Sequence, residues 1–212
     1  MKNLLYKELC LSIHPLFYLV LLCGALLMIP QWLFLIALMY LLWLAVPNVF
    51  AFAKAQNDVL FTVMLPVRKR DVVKARVMSI ALLEVLQILV AGVFAVLHMR
   101  LYGPGNFVLD PNYAFFGIAF VMYGVFNIVF FPMFYKTAYK FGVPIIVASI
   151  AVVFFATAIE FAVLFVQALR VLDGLGHIFI QLLTLAGGII VFAVMNMAAY
   201  VISAKRFESV DL

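Results

Sequence analysis

Residues 16–29, 32–52, 77–99, 113–135, 143–161 and 177–203 of this sequence hold almost no charge. Runs of this kind constrain the fold more than anything else in the chain. A helix needs ~20 apolar residues to cross ~30 Å of hydrocarbon at 1.5 Å per residue. A core surrounded by water has no use for such unbroken stretches. The 212 residues are 69% hydrophobic and 11% charged, against about half and a quarter in soluble domains. The runs are apolar on every side, whereas barrel strands alternate with period two. The expected fold is therefore an all-α integral membrane protein with about six transmembrane helices. It forms one domain over residues 1–212, with no soluble domain left over. A retained first span is preferred over a cleaved signal peptide, because no small-residue cleavage site stands out.

The polar segments set the organisation. Residues 1–15 mix Lys2, Lys7 and Glu8 with Leu4, Leu5, Leu9 and Ile13, which reads as an interfacial helix broken at Pro15. Pro30-Gln31 is the turn of a tight hairpin between the first two spans. The first span is short for a full crossing. Residues 54–76 form the longest polar loop, and 100–112 a turn-rich one. Short cytoplasmic loops are rich in Lys and Arg. With both termini in the cytoplasm, every Lys and Arg except Arg100 and Arg170 lies on that side. Trp32, Tyr113, Tyr135 and Tyr139 sit near span ends, as interfacial anchors do.

Several chemistries lack their signatures. The sequence has no G-x-x-x-x-G-K-[ST] phosphate loop, no H-E-x-x-H or C-x-x-C metal pair, and no G-x-S-x-G elbow. His14, His98 and His177 are far apart, and Cys10 and Cys23 do not read as a disulfide framework. The reading is not an enzyme. No cofactor is expected in this chain, and nucleic acid is not an expected partner.

Intramembrane polar residues are costly and mark function or packing. Glu84 shares a helix face with Gln87 one turn on. With Asn127 and Asn196 these form a candidate translocation path, although for the two asparagines interhelical hydrogen bonding is the preferred role. For Glu84 a substrate or proton pathway and a helix-packing hydrogen bond both stand. For Glu160, packing or a place near the outer headgroups is preferred. Gly187, Gly188, Ala193 and Ala198 allow close packing of the last span.

The 57–76 segment is the most informative. Val59, Leu60, Val63 and Met64 lie at helical spacing, Pro66 breaks the run, and Val72 and Val73 continue among basic residues. The pattern is a short helix, a break, and a second helix feeding the third span. An apolar ridge with a basic rim suits protein docking. A polybasic segment on anionic lipid, at ~1 kcal/mol per cation, is the alternative.

Here the sequence resembles the type 2 ATP-binding-cassette (ABC) exporter permeases. The matching positions are Asp58, Leu65, Pro66, Val67, Lys69, Arg70, Asp71, Val72 and Arg76. Leu5-Tyr-Lys-Glu8 with His14-Pro15 is similar to that family's N-terminal elbow, and residues 203–212 to its C-terminal ending. The resemblance implies coupling helices that dock a cytoplasmic ABC ATPase through Asp58, Leu60, Val63, Met64, Leu65, Pro66, Arg68, Lys69, Arg70 and Asp71. It also implies a second permease chain, identical or homologous, ATP and Mg in the partner ATPase, and a prokaryotic plasma membrane. Residues 162–176 fall where the family has an outer re-entrant hairpin. The sequence departs at Met64 and Arg68, where the family often has hydroxyl residues; Asp71 then favours the following helix N-terminus. The implied function is export of an amphipathic or hydrophobic substrate, peptide or lipid-like. The alternatives are an ion-coupled carrier using Glu84 and a non-transporting membrane scaffold.

Overall fold

The computed structural model describes residues 2–13, 15–64, 66–103, 105–106, 109–137, 140–173 and 176–210. For residues 2, 11, 16, 59, 60, 63, 167 and 168 it describes the backbone only. The chain is 84% helix, with no strand among the described residues. Helix α1, Lys2–Tyr6, continues as a π-helical turn, Lys7–Ser12. Helix α2, Pro15–Tyr18, continues as a 3-10 segment, Leu19–Met28. Then follow α3 (Phe34–Ala55), the short α4 (Asp58–Met64), α5 (Lys69–Leu101), α6 (Tyr113–Phe134) and α7 (Gly142–Phe165). A 3-10 turn, Gln167–Leu172, precedes the last helix, α8 (Ile178–Glu208).

Five of these helices, α3, α5, α6, α7 and α8, are long and apolar enough to cross a membrane. The 3-10 segment is a shorter apolar helix. Its geometry offsets its brevity, since a 3-10 helix rises ~2.0 Å per residue. With α2 it reaches about 26 Å, most of a hydrocarbon core.

Hydrogen bonds define two ends. At one end Tyr18 Oη donates to the Leu9 carbonyl (2.6 Å), Lys69 Nζ to that of Val210 (2.7 Å) and Arg206 Nη1 to that of Pro132 (2.8 Å). Both chain ends and the 54–76 loop gather here with most of the Lys and Arg, so we term it the basic end. At the other end Gln31 donates to Gly105 O (3.2 Å) and Asn106 to Trp32 O (3.0 Å). Asp110 accepts from the Asn106 N–H (2.8 Å), and its own N–H donates to Asp173 Oδ1 (3.0 Å). Gln31 sits at φ 57° in the Pro30-Gln31 turn. The 162–176 segment divides between the two elements: residues 162–165 complete α7, and the 3-10 turn follows. Asn112 caps α6 by accepting from the Phe115 N–H (3.0 Å), and its amide donates to Leu172 O (2.7 Å).

Two local breaks follow from sequence. Pro47 has no N–H and its ring crowds the carbonyl four residues back. Residues Leu41–Ala45 widen into a π-turn just ahead of it, and the Asn48 side chain donates to Leu44 O (2.6 Å). Between α4 and α5 the chain is non-helical at 66–68. Arg68 is the N-cap of α5 in extended conformation with no side-chain cap, and Asp71 stands in the first turn. A carboxylate there favours the helix dipole.

Helices α6 and α8 approach most closely. A Cβ at Gly188 would lie 2.2 Å from Gly117 O, and one at Gly117 2.5 Å from Thr184 O. Nothing lies within 4 Å of a Cβ at Gly187. Of the paired glycines, then, Gly188 makes the contact and Gly187 faces outward. Small residues let membrane helices gain dispersion contact where no water drives them together. Gly188→Ala should destabilise the purified protein in detergent by about 1–3 kcal/mol, read as a lower melting temperature. Gly187→Ala should leave that temperature unchanged, and equal effects would refute the contact.

Candidate functional site

The basic end holds a buried ionic cluster. It forms because three elements each bring charge to one point: Lys7 and Glu8 from the N-terminal turn, Asp58 from the start of α4, and Arg76 from the second turn of α5. Arg76 is 3% exposed. Its Nη2 donates to Asp58 Oδ2 (2.6 Å) and Glu8 Oε1 (3.1 Å). Its Nε meets Glu8 Oε2 as an ion contact rather than a directed hydrogen bond. Lys7 pairs with Asp58 and donates to Thr62 Oγ1 (2.6 Å). The guanidinium lies over the Phe50 ring, 5.5 Å from its centre. Beneath it Phe50 packs on Phe130 and Phe134 at 4.8 and 4.7 Å. Tyr135 is buried beside the cluster.

The predicted docking residues divide by exposure. Met64 is 83% exposed and Phe61 61%; Pro66 and Arg68 are also exposed. Asp58 is turned inward into the cluster. Lys69 is half-buried and held by Val210 O. Arg70 is exposed and paired with Glu208 (Nη2 to Oε2, 3.0 Å), and Asp71 is half-buried. The side chains of Leu60 and Val63, and Leu65 entirely, lie outside the described residues. Phe61 is absent from the docking residues expected from sequence, and Lys7 and Glu8 are expected there only as parts of the interfacial helix. The exposed pair Phe61 and Met64, three residues apart, was legible at helical spacing. The partners of Arg76 were not, being 68 and 18 residues away in the chain.

A second polar group lies within the bundle, and the four predicted path residues fall into two parts. Asn127 on α6 donates through Nδ2 to Glu84 Oε2 (2.7 Å) and to Asn196 Oδ1 (3.0 Å), joining α5, α6 and α8. Asn196 Nδ2 donates to Phe192 O (3.0 Å). Glu84 is 0% exposed. Its Oε1 and the Asn127 Oδ1 have no partner among the described residues. Gln87 instead serves the 3-10 segment. Its nitrogen lies 3.0 Å from Leu21 O and its oxygen 3.3 Å from Gly24 N. These are the two groups a 3-10 ladder would join to each other. A Cβ at Gly24 would lie 3.0 Å from Ala91 Cα, so glycine permits this contact. Among the described residues no group of three or more His, Cys, Asp or Glu is placed to hold a metal.

Several apolar helices of membrane-crossing length, with charge gathered at one end of the bundle, define a multi-pass membrane protein. The chain belongs to the ABC-2 transporter family: the family model described as ABC-2 family transporter protein matches residues 3–208. This places it with the permease subunits of ABC transporters, whose ATPase is in general a separate subunit. No curated protein and no solved structure matches it.

Removing one partner of a buried ion pair leaves an uncompensated charge, at a cost of ~3–5 kcal/mol. Arg76→Leu should therefore lower the melting temperature in detergent sharply. Adding Glu8→Gln and Asp58→Asn should restore much of the loss. In the bundle, Glu84→Gln keeps an acceptor for Asn127 Nδ2 and gains a donor for its orphaned Oδ1. It should melt no lower than the parent, whereas Glu84→Ala should melt lower; the reverse order would contradict this hydrogen-bond pattern.

Proposed function

We propose that the chain is the membrane subunit of an ABC exporter. It crosses the bilayer six times, counting the 3-10 segment, with the basic end in the cytoplasm. That orientation rests on the placement of Lys and Arg. The exposed Phe61 and Met64 of α4, together with Pro66 and Arg68 in the break that follows, dock a cytoplasmic ATPase subunit, which supplies ATP and Mg. The substrate is amphipathic or hydrophobic, since the bundle offers apolar walls with few polar groups. A second permease chain completes the transporter.

The observation that carries this reading is the ionic cluster. Asp58 and Thr62 bind the α4 helix to Lys7 and Arg76, so a push on its exposed face meets no loose joint before α5 and the N-terminal turn. A surface-lying lipid anchor has no need of such a connection. If α4 is the docking element, Phe61→Asp with Met64→Asp abolishes co-purification of the ATPase while the permease still folds. Retained association would remove α4 from the interface.

The carrier reading rests on the complete burial of Glu84. It requires transport to fail in Glu84→Gln. We expect Glu84→Gln to transport in proteoliposomes only when the ATPase and ATP are present.

A further inference from the structure

Helices α5 and α8 do not close fully against each other toward the basic end. A groove of about 190 Å³ opens between them, walled by Met78 and Ala81 on α5 and by Ala193 and Met197 on α8. Lys74 and Tyr200 also line it. Helix α5 rises from the basic end and α8 descends to it, so these two residues mark the groove's mouth at that end. From Lys74 to Ala81 is seven residues, about 10 Å of helix. That is less than half of a ~30 Å hydrocarbon layer. The groove therefore belongs to a single leaflet.

Its charge pattern selects the occupant. Arg70, one turn below, is neutralised by Glu208, and Lys69 is held by Val210 O. Lys74 is exposed, and among the described residues it makes no ion pair, with Asp71 or any other carboxylate. An ammonium at the polar boundary with no ion pair among the described residues, followed by an apolar slot that lies within one leaflet, matches a phosphate headgroup followed by the first part of an acyl chain. Basic pockets between membrane helices on the cytoplasmic side bind anionic headgroups on this principle.

We propose that the α5–α8 groove is a binding site for one anionic phospholipid of the leaflet at the basic end, with its phosphate on Lys74 and a chain between Ala81 and Ala193. Asn196 also lines the groove, and it is the α8 member of the Glu84–Asn127–Asn196 chain. A lipid seated there braces α5 against α8 beside that chain.

The test is native mass spectrometry of the full-length protein loaded with phosphatidylglycerol or phosphatidylcholine. The parent should retain phosphatidylglycerol preferentially. Lys74→Gln should lose roughly fivefold in that retention, the factor expected for one cation near a headgroup, and leave phosphatidylcholine unchanged. Lys74→Arg should keep the preference, which separates charge from misfolding. Ala193→Phe, which fills the slot, should reduce retention of phosphatidylglycerol even with Lys74 intact. Equal retention of the two lipids by the parent would overturn the proposal. So would phosphatidylglycerol retention unchanged in both Lys74→Gln and Ala193→Phe, or a loss of dimer mass rather than of lipid in Lys74→Gln.

Discussion

Arg76 carries a full charge at a place that offers it no water, and the basic end is arranged around that fact. A buried guanidinium is tolerable only if anions and a polarisable face surround it. Glu8, Asp58 and the Phe50 ring supply them. Each belongs to a different element, so neutralising one cation fixes the N-terminal turn, α4 and α3 against the start of α5. Lys7 then balances the second carboxylate charge, because two acids facing one arginine would leave a net anion. The result is a joint in which no member moves without exposing a charge.

The same helix organises the rest of the bundle. Arg76, Ile80, Leu83, Glu84, Gln87, Ala91, Ala95 and His98 recur every three or four residues along α5 and are all buried. They make one inward stripe of the period a helix requires. Its lower part meets the ionic joint and its middle meets Asn127. Next come the groups that hold the 3-10 segment. That segment needs Gln87 and Gly24 together. Ten residues of 3-10 helix exceed the usual few. The glycine lets the backbones touch at Ala91, and the amide occupies one rung of the ladder.

Much of this was legible in the sequence, and the limit was set by range. Runs of apolar residues near 20 long gave the five long helices, because that signal is local and large. Pro66 and Asp71 gave the break before α5 for the same reason. The sequence also marked Glu84, Asn127 and Asn196 as polar residues suited to hydrogen bonds between helices, though not which of them bond to one another. Pairing across 43 and 69 residues has no periodic trace. The resemblance counts Asp58 among the exposed residues that dock the ATPase. Only its meeting with Glu8, Lys7 and Arg76 turns it inward, and that meeting is a property of the fold. Nor does composition separate a 3-10 segment from a short α-helix, because the difference lies in what packs on it.

Two polar groups at different depths thus share α5, and they differ in kind. The ionic joint at the basic end is multiply bonded, and its Arg76–Glu8 pair is shielded from water. The Glu84 group is held by few hydrogen bonds, each worth only ~0.6 kcal/mol in a membrane interior. It leaves two oxygens unused. If the ATPase docks on α4 as proposed, a load entering there reaches α5 through the ionic joint. The first weaker contact in its way is the one joining α5 to α6 and α8. Because α6 and α8 are locked together through Gly117 and Gly188, they resist as a unit. Under that proposal, relative motion falls between α5 and the α6–α8 pair, where Asn127 meets Glu84 and where the groove already separates α5 from α8.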